Sequence, residues 1–271
     1  MSPPAPGAAA RARVLAPKRR PRLYYSVAKR LTALRKTPFV AERLGARWRL
    51  FPRDWIDNRL ITGRYFEIEQ LNYALSLISD YDIDLFVDCG ANIGLYSVLL
   101  GVHAPGLQTI EAFEPAPATR ARLADNLRLN ALTARARIHP CALSDAPGRA
   151  ALNMMPNSSG VATLERAMTA NKRRRFTHTV EVETAPLDAR LDHAGRRAFV
   201  KIDVEGHALP ALRGMAGFLA ENEVIVQIEG CDQDAEIKRL LADSGYHHIT
   251  DVSPDYYFAN FNVASRNTAS E

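Results

Sequence analysis

Apolar positions in this chain change period near residue 80. Between residues 22 and 45, Leu23, Tyr24, Val27, Leu31 and Leu34 recur at helical spacing among Lys29, Arg30, Arg35 and Lys36. That spacing predicts a basic amphipathic helix. From Asp54 to Ile78 the pattern is helical again, centred on Ile68, Leu71, Leu75 and Ile78. Then short apolar runs suited to buried strands appear at 84–89, 107–113, 136–142, 198–203, 223–229 and 246–251. Helical runs lie between them at 94–102, 117–130, 207–220 and 233–244. Strands alternating with helices of that length predict right-handed crossovers and a mainly parallel sheet with helices on both faces. Residues 149–154 and 178–184 read as two extra strands flanking a polar loop, and 256–263 as a last edge strand returning antiparallel.

These patterns divide the chain into a basic extension (1–50), a helical lead-in (51–80) and an α/β domain (81–271). Residues 1–21, rich in Pro, Ala and Arg, are expected to be disordered. The formal net charge of +5 hides an asymmetry, because residues 1–50 hold thirteen Lys/Arg against the single acid Glu42. The other 221 residues hold 22 Lys/Arg and 29 Asp/Glu, so the body is mildly acidic and no nucleic-acid partner is expected of it. For the basic helix at 22–45, packing on its own domain is the favoured reading. Peripheral contact with an anionic membrane, docking on a partner, and a transit peptide are the alternatives. No apolar run approaches the ~20 residues of a spanning helix, and no secretory h-region is present. Three widely spaced cysteines, Cys89, Cys141 and Cys231, read as reduced thiols, and a cytoplasmic location is expected.

Chemistry concentrates where the predicted strands end. The run Leu85-Phe86-Val87-Asp88-Cys89-Gly90-Ala91-Asn92-Ile93-Gly94 passes from a strand through an acid into two glycines and then a helix. Gly90 permits a tight turn and close approach, and the helix start directs unpaired N–H groups at the same point. The spacing differs from the dinucleotide G-x-G-x-x-G, which disfavours a nicotinamide enzyme. Asp88 at the mouth would repel a pyrophosphate but suits a cationic ligand such as S-adenosylmethionine. The next strand ends at Glu114, twenty residues after Gly94, where an acid accepts hydrogen bonds from an adenosine ribose. A third strand ends at Asp203, followed by Glu205, Gly206 and His207, and a fourth ends at Glu229. By the switch-point rule these acids face one crevice. Asp203, Glu205 and Glu229 are candidates for a base, a hydroxyl clamp or a divalent-metal site, and His207 for a general base. The pair His247-His248 and the run 172–175 read as structural and solvated respectively.

The segments VDCGANIGLYS (87–97), AFEPAPATRARLADNLRLN (112–130), CALSDAPG (141–148), APLDARL (185–191) and KIDVEGHALPALRG (201–214) together resemble the FkbM-type methyltransferases. The resemblance spans roughly residues 60–260. It implies a class I Rossmann-like methyltransferase fold with a seven-stranded, mainly parallel sheet. It further implies S-adenosylmethionine as cofactor and O-methylation of sugars or secondary metabolites. Asp88, Gly90, Asn92 and Gly94 would line the methionine moiety, Glu114 the ribose, and Ala142 to Asp145 the adenine. Asp203 would lie beneath the reactive methyl. The family usually reads E-G-x-E after the third strand, and this chain has Ala208 in place of the second acid.

A hydroxyl acceptor needs a base within reach. Asp203 or His207 is expected to take the proton, with Glu229 orienting a small-molecule or glycan acceptor. A divalent metal is possible but no ligand triplet predicts one. The alternative is a non-catalytic Rossmann-like binding module tethered by its basic arm.

Overall fold

The computed structural model describes residues 15–16, 20–155, 158–165, 176–230 and 234–263. Most of the segment expected to be disordered, the basic run 172–175 and Cys231 lie outside the described residues. The predicted helix at 22–45 ends early: α1 covers Arg22–Leu34, and an antiparallel hairpin follows, β1 (Phe39–Arg43) and β2 (Ala46–Leu50). Leu44 and Gly45 form its two-residue turn, both with positive φ (54° and 74°), the geometry that right-twisted hairpin strands require. Ala46, Trp48 and Leu50 alternate inward and are buried, while Arg47 and Arg49 point outward. Residues grouped by charge with the extension thus contribute to the main core.

The helical lead-in consists of two helices. Asp54 caps α2 (Trp55–Thr62) by accepting from the N–H groups of Ile56 and Asp57. The chain then turns at Gly63, and Glu67, itself left-handed at φ 56°, precedes α3 (Ile68–Asp80).

Beyond residue 80 the alternating units appear as expected: β3 (Leu85–Cys89), α4 (Leu95–His103), β4 (Thr109–Phe113), α5 (Pro117–Leu129) and β5 (Ala136–His139). Pro140 has no N–H and separates β5 from β6 (Cys141–Leu143), so the single strand expected at 136–142 serves two sheets. The second sheet adds β7 (Gly148–Met155), β8 (Ser158–Thr163) and β9 (His178–Ala185) in the order β6-β9-β7-β8. The chain returns through β10 (Arg197–Ile202), α6 (Ala208–Arg213), α7 (Ala216–Glu221), β11 (Glu223–Glu229), α8 (Ala235–Asp243), β12 (His247–Val252) and β13 (Asp255–Ala259). The helix expected at 207–220 is broken between Arg213 and Ala216.

The central sheet runs β12-β13-β11-β10-β3-β4-β5. β3, β4, β5, β10 and β11 are parallel, and β13 is antiparallel to both its neighbours. The last strand is therefore not the edge: it inserts between β11 and β12, because the short turn after Val252 returns the chain beside β12. Strand side chains alternate between two cores. Phe86, Ile110, Phe199 and Ile225 join α3 and α4 on one face. Leu85, Val87, Val200 and Val226 join α6, α7 and α8 on the other. This is the class I Rossmann-like methyltransferase arrangement.

Candidate active site

Register across the central strands builds a polar row on the α4 face of the sheet. Asp88, Lys201 and Gln227 stand side by side on β3, β10 and β11, and Gln227 faces Tyr257 of β13. All are buried. Lys201 Nζ donates to Asp203 Oδ2 at 2.7 Å and lies 4.6 Å from the centre of the Tyr96 ring. Gln227 Nε2 donates to the Tyr96 hydroxyl at 3.0 Å. Burial disfavours the ammonium, but Asp203, Glu67 and Asp88 outweigh it and raise the Lys201 pKa. One cation therefore sits among several carboxyls, and the surplus carboxyls hold protons more tightly than usual. Burial raises Asp88 and Asp255 against the pull of Lys201, and it raises Glu67 to about 7.

Asp88 does not stand at a mouth. Its Oδ2 accepts from the Ser97 hydroxyl at 2.6 Å and from the Ser97 N–H at 3.2 Å, fixing the first turn of α4 from behind. The glycine loop likewise spends its donors internally. Gly90 and Ala91 donate to the Phe113 carbonyl, Asn92 to Glu114 and Gly94 to Ala91. The close approach at Gly90 is to the chain itself: a Cβ there would lie 2.0 Å from the Asp203 carbonyl oxygen. Gly94 (φ 90°) caps α4 against Leu123 and, like Asp88, stays out of the cleft.

A cleft with about 620 Å³ of empty space opens at the carboxyl ends of β3, β4 and β10. Gly90, Asn92, Glu114, Ala142, Asp203 and His207 all line it, so most of the sequence-predicted residues do meet. Phe113, Leu143, Leu152, Ala162 and Leu164 make its walls apolar. Glu114 Oε2 accepts from Asn92 N at 3.0 Å and Oε1 from Ala116 N at 2.8 Å. Each oxygen keeps a lone pair for a ligand. Burial outweighs these bonds and raises Glu114 to about 7.

A second cleft, with about 740 Å³ of empty space, lies on the other side of residues 203–205 and contains Glu229, Gly230 and Asp234. Asp203, Val204 and Glu205 line both clefts and form the ridge between them. Burial works against the Asp203 charge, but Lys201 and the hydrogen bonds from Glu229 and Lys201 hold its pKa below the usual value. Glu229 is pushed up by the Asp203 charge and by burial, so it donates the proton in that hydrogen bond.

His207 is occupied at both ring nitrogens, by Ser144 Oγ at 3.1 Å and Glu165 Oε1 at 2.7 Å. Thr163 Oγ1 also donates to the Glu205 carbonyl at 2.7 Å. The end of β8 is thus clasped onto residues 205–207, which holds Ala162 and Leu164 over the first cleft. Asp145 lies outside both clefts, exposed, and accepts a 3.3 Å bond from Ser144 Oγ. Among the described residues no group of three or more His, Cys, Asp and Glu side chains is placed to hold a metal ion.

A family model described as the methyltransferase FkbM domain matches residues 88–248, which contain every described residue lining these two clefts. The chain belongs to the FkbM methyltransferase family. Among its relatives are Methyltransferase 1 of Beauveria bassiana, 28% identical over 66% of this chain and 81% of that protein, and Methyltransferase sdnD of Sordaria araneosa, 32% identical over 59% and 72%. The 31-O-demethyl-FK506 methyltransferase FkbM of Streptomyces tacrolimicus is 26% identical over 69% of this chain and 82% of its own length. A crystal structure of Methyltransferase FkbM from Methylobacillus flagellatus KT aligns with 86% of this chain and 58% of that one, at 19% identity and a TM-score of 0.46.

Within this FkbM-family site, sequence reasoning missed Lys201, Glu67, Tyr96, Asp255 and the Thr163–Glu165 clasp. Lys201 carried a signal, being a lone charge at an inward position of the β-branched run Phe199–Ile202. Glu67 and Asp255 carried none, because they reach the ammonium only through the fold.

Proposed function

We propose that this FkbM-family methyltransferase moves a methyl group from S-adenosylmethionine to a hydroxyl of a sugar, glycan or secondary metabolite. The observation that carries the reading is the lining of the first cleft. Loop N–H groups that would greet a pyrophosphate are already bonded, whereas Glu114, Asp203 and Glu205 bring carboxyls to the cleft and, among the described residues, no Lys or Arg lines it. That donor set fits a cation bearing ribose hydroxyls. Glu114 would receive those hydroxyls, and the apolar walls beside Ala142 and Leu143 would take the purine. When bound, the cofactor supplies an electrophilic methyl group on sulfur.

The second cleft takes the acceptor, since Asp203 is exposed to both sides of the ridge. An incoming hydroxyl replaces Glu229 as the donor to Asp203, and Asp203 receives its proton. Lys201 fixes the Asp203 carboxylate in position, and Glu229 keeps its own proton and orients the acceptor. His207, held at both nitrogens, positions the cleft wall and leaves the base role to Asp203. The relative whose name carries a 31-O-demethyl substrate favours oxygen as the methylated atom.

Isotope-labelled S-adenosylmethionine incubated with sugar, glycan and metabolite fractions, followed by mass spectrometry of the product, identifies the acceptor atom. Asp203→Asn should lower methyl transfer by about 10²–10⁴-fold, the usual contribution of a positioned base. Calorimetry should show cofactor affinity within a few-fold of wild type. An unchanged transfer rate at unchanged affinity removes Asp203 from the chemistry. Absence of any cofactor binding would favour the non-catalytic module.

A further inference from the structure

The helix α1 packs on the body with its less apolar side. Tyr25, Ala28 and Thr32, at helical spacing, are its sheltered positions. Its apolar stripe faces outward: Leu23 is 75% exposed, Val27 46%, Leu31 63% and Leu34 78%. No described residue covers that stripe. These four side chains recur every three or four residues and so share one line along a helix about 20 Å long.

Charge says what would cover it. From Lys18 to Lys36 the sequence holds eight Lys/Arg and no acid. Arg22, Lys29, Arg30, Arg35 and Lys36 are exposed around the stripe. Among the described residues none of them is in an ion pair of the kind that engages Arg122 with Asp54 and Asp57. An apolar line flanked only by cations matches a surface that is apolar beneath and anionic above. A second copy of this acid-poor helix would meet it with like charge. No helix among the described residues is long and apolar enough to cross a membrane, so the contact lies in the interface plane.

We propose that α1 docks the protein on an anionic lipid surface, with Leu23, Val27, Leu31 and Leu34 entering the acyl boundary and the flanking cations meeting headgroups. The proposal is independent of the methyl acceptor. Trp55, 48% exposed on α2, which packs beside α1, extends the apolar border.

Flotation of the full chain with vesicles of neutral phosphatidylcholine, with and without one-third phosphatidylglycerol, tests this. Binding to the anionic vesicles is expected, with at least about tenfold weaker binding to neutral ones and release in high salt. The double variant Leu31→Asp/Leu34→Asp should reduce anionic-vesicle binding at least about tenfold, since both side chains are exposed and their loss leaves the core intact. Circular dichroism and the melting temperature verify folding. Methyl transfer to a soluble acceptor should be unchanged. Three results overturn the proposal. One is no binding to anionic vesicles by the folded wild type. Another is binding that survives the double Asp variant but falls with Lys29→Glu/Arg30→Glu, which shows bare attraction to a polyanion. The third is a concentration-dependent dimer abolished by the Asp variant, which assigns the stripe to a second copy.

Discussion

Replacing Gly90 with alanine should displace the proposed base without touching it chemically. The added Cβ would lie 2.0 Å from the Asp203 carbonyl oxygen and 3.1 Å from its carbon. Real Cβ contacts do not fall below 3.0 Å, so one backbone must retreat by about an ångström. Neither is free to do so. Gly90 N is bonded to the Phe113 carbonyl, and Asp203 N to the Cys89 carbonyl at 3.0 Å. A left-handed φ of 86° adds about 1–2 kcal/mol for a residue with a side chain, and overpacking adds about 1–3 kcal/mol. A total near 3 kcal/mol corresponds to a fall in Tm of roughly 6–12 °C for a chain of this size. An ångström of misplacement at a reacting centre costs about 10²-fold in rate. Thermal melts and kcat/KM, measured well below the variant's Tm, separate the two effects. Wild-type Tm and rate together would refute the steric argument. A lowered Tm with an unchanged rate for the folded protein would refute the placement of Asp203 at the reaction.

Titration of Glu114 gives a second expectation. Its pKa is raised from 4.5 to about 7 in the folded, ligand-free protein, so the folded state holds the proton more tightly than the unfolded one. Its share of stability is fully present below about pH 4.5 and is lost as pH rises through about 7. Cofactor affinity should move the other way, rising by up to about tenfold per pH unit below 7 as the carboxylate forms. Calorimetry from pH 5.5 to 8.5 checks it, and a flat affinity would refute the ribose assignment. Trp48→Ala should cost about 3–5 kcal/mol in chemical denaturation, with one transition, because Trp48 is fully buried in the core that also contains α3 and α4. A loss below about 1 kcal/mol would show the hairpin to be an appendage.

The alternation of buried strands with amphipathic helices was legible because a two-sided sheet imposes apolar runs such as 85–87 and 198–200. Strand-end acids were legible for the same reason: Glu114, Asp203 and Glu229 each stop such a run. The hairpin at 39–50 was obscured by arginines. Arg47 and Arg49 alternate with Ala46, Trp48 and Leu50, so period two was present, but the basic composition drew the region into the extension. Its turn, Leu44-Gly45, lacks the Asn-Gly signal that marks most hairpins. The misplacement of Asp88 has a different origin. A strand-end acid reads the same whether it faces a ligand or the first turn of the next helix, and only Ser97, nine residues on, decides between them. The clasp of Thr163 and Glu165 on Glu205 and His207 joins residues about forty apart, which no local pattern records.

The ridge of Asp203, Val204 and Glu205 has a consequence for how such a scaffold diversifies. Among the described residues the two clefts share only these three, and outside residues 202–208 their walls come from separate stretches of chain. Residues 90–164 shape the side with Glu114, whereas 229–237 shape the side with Glu229. Under the proposed assignment of the second cleft to the acceptor, substitutions at Gly230, Asp234 and Ile237 would redraw the acceptor's outline while the first cleft stays unchanged. On that proposal, variation for a new acceptor would fall on residues 229–237 and on Ile202, Gly206 and Ala208, with the ridge standing between a retained half-site and a replaceable one.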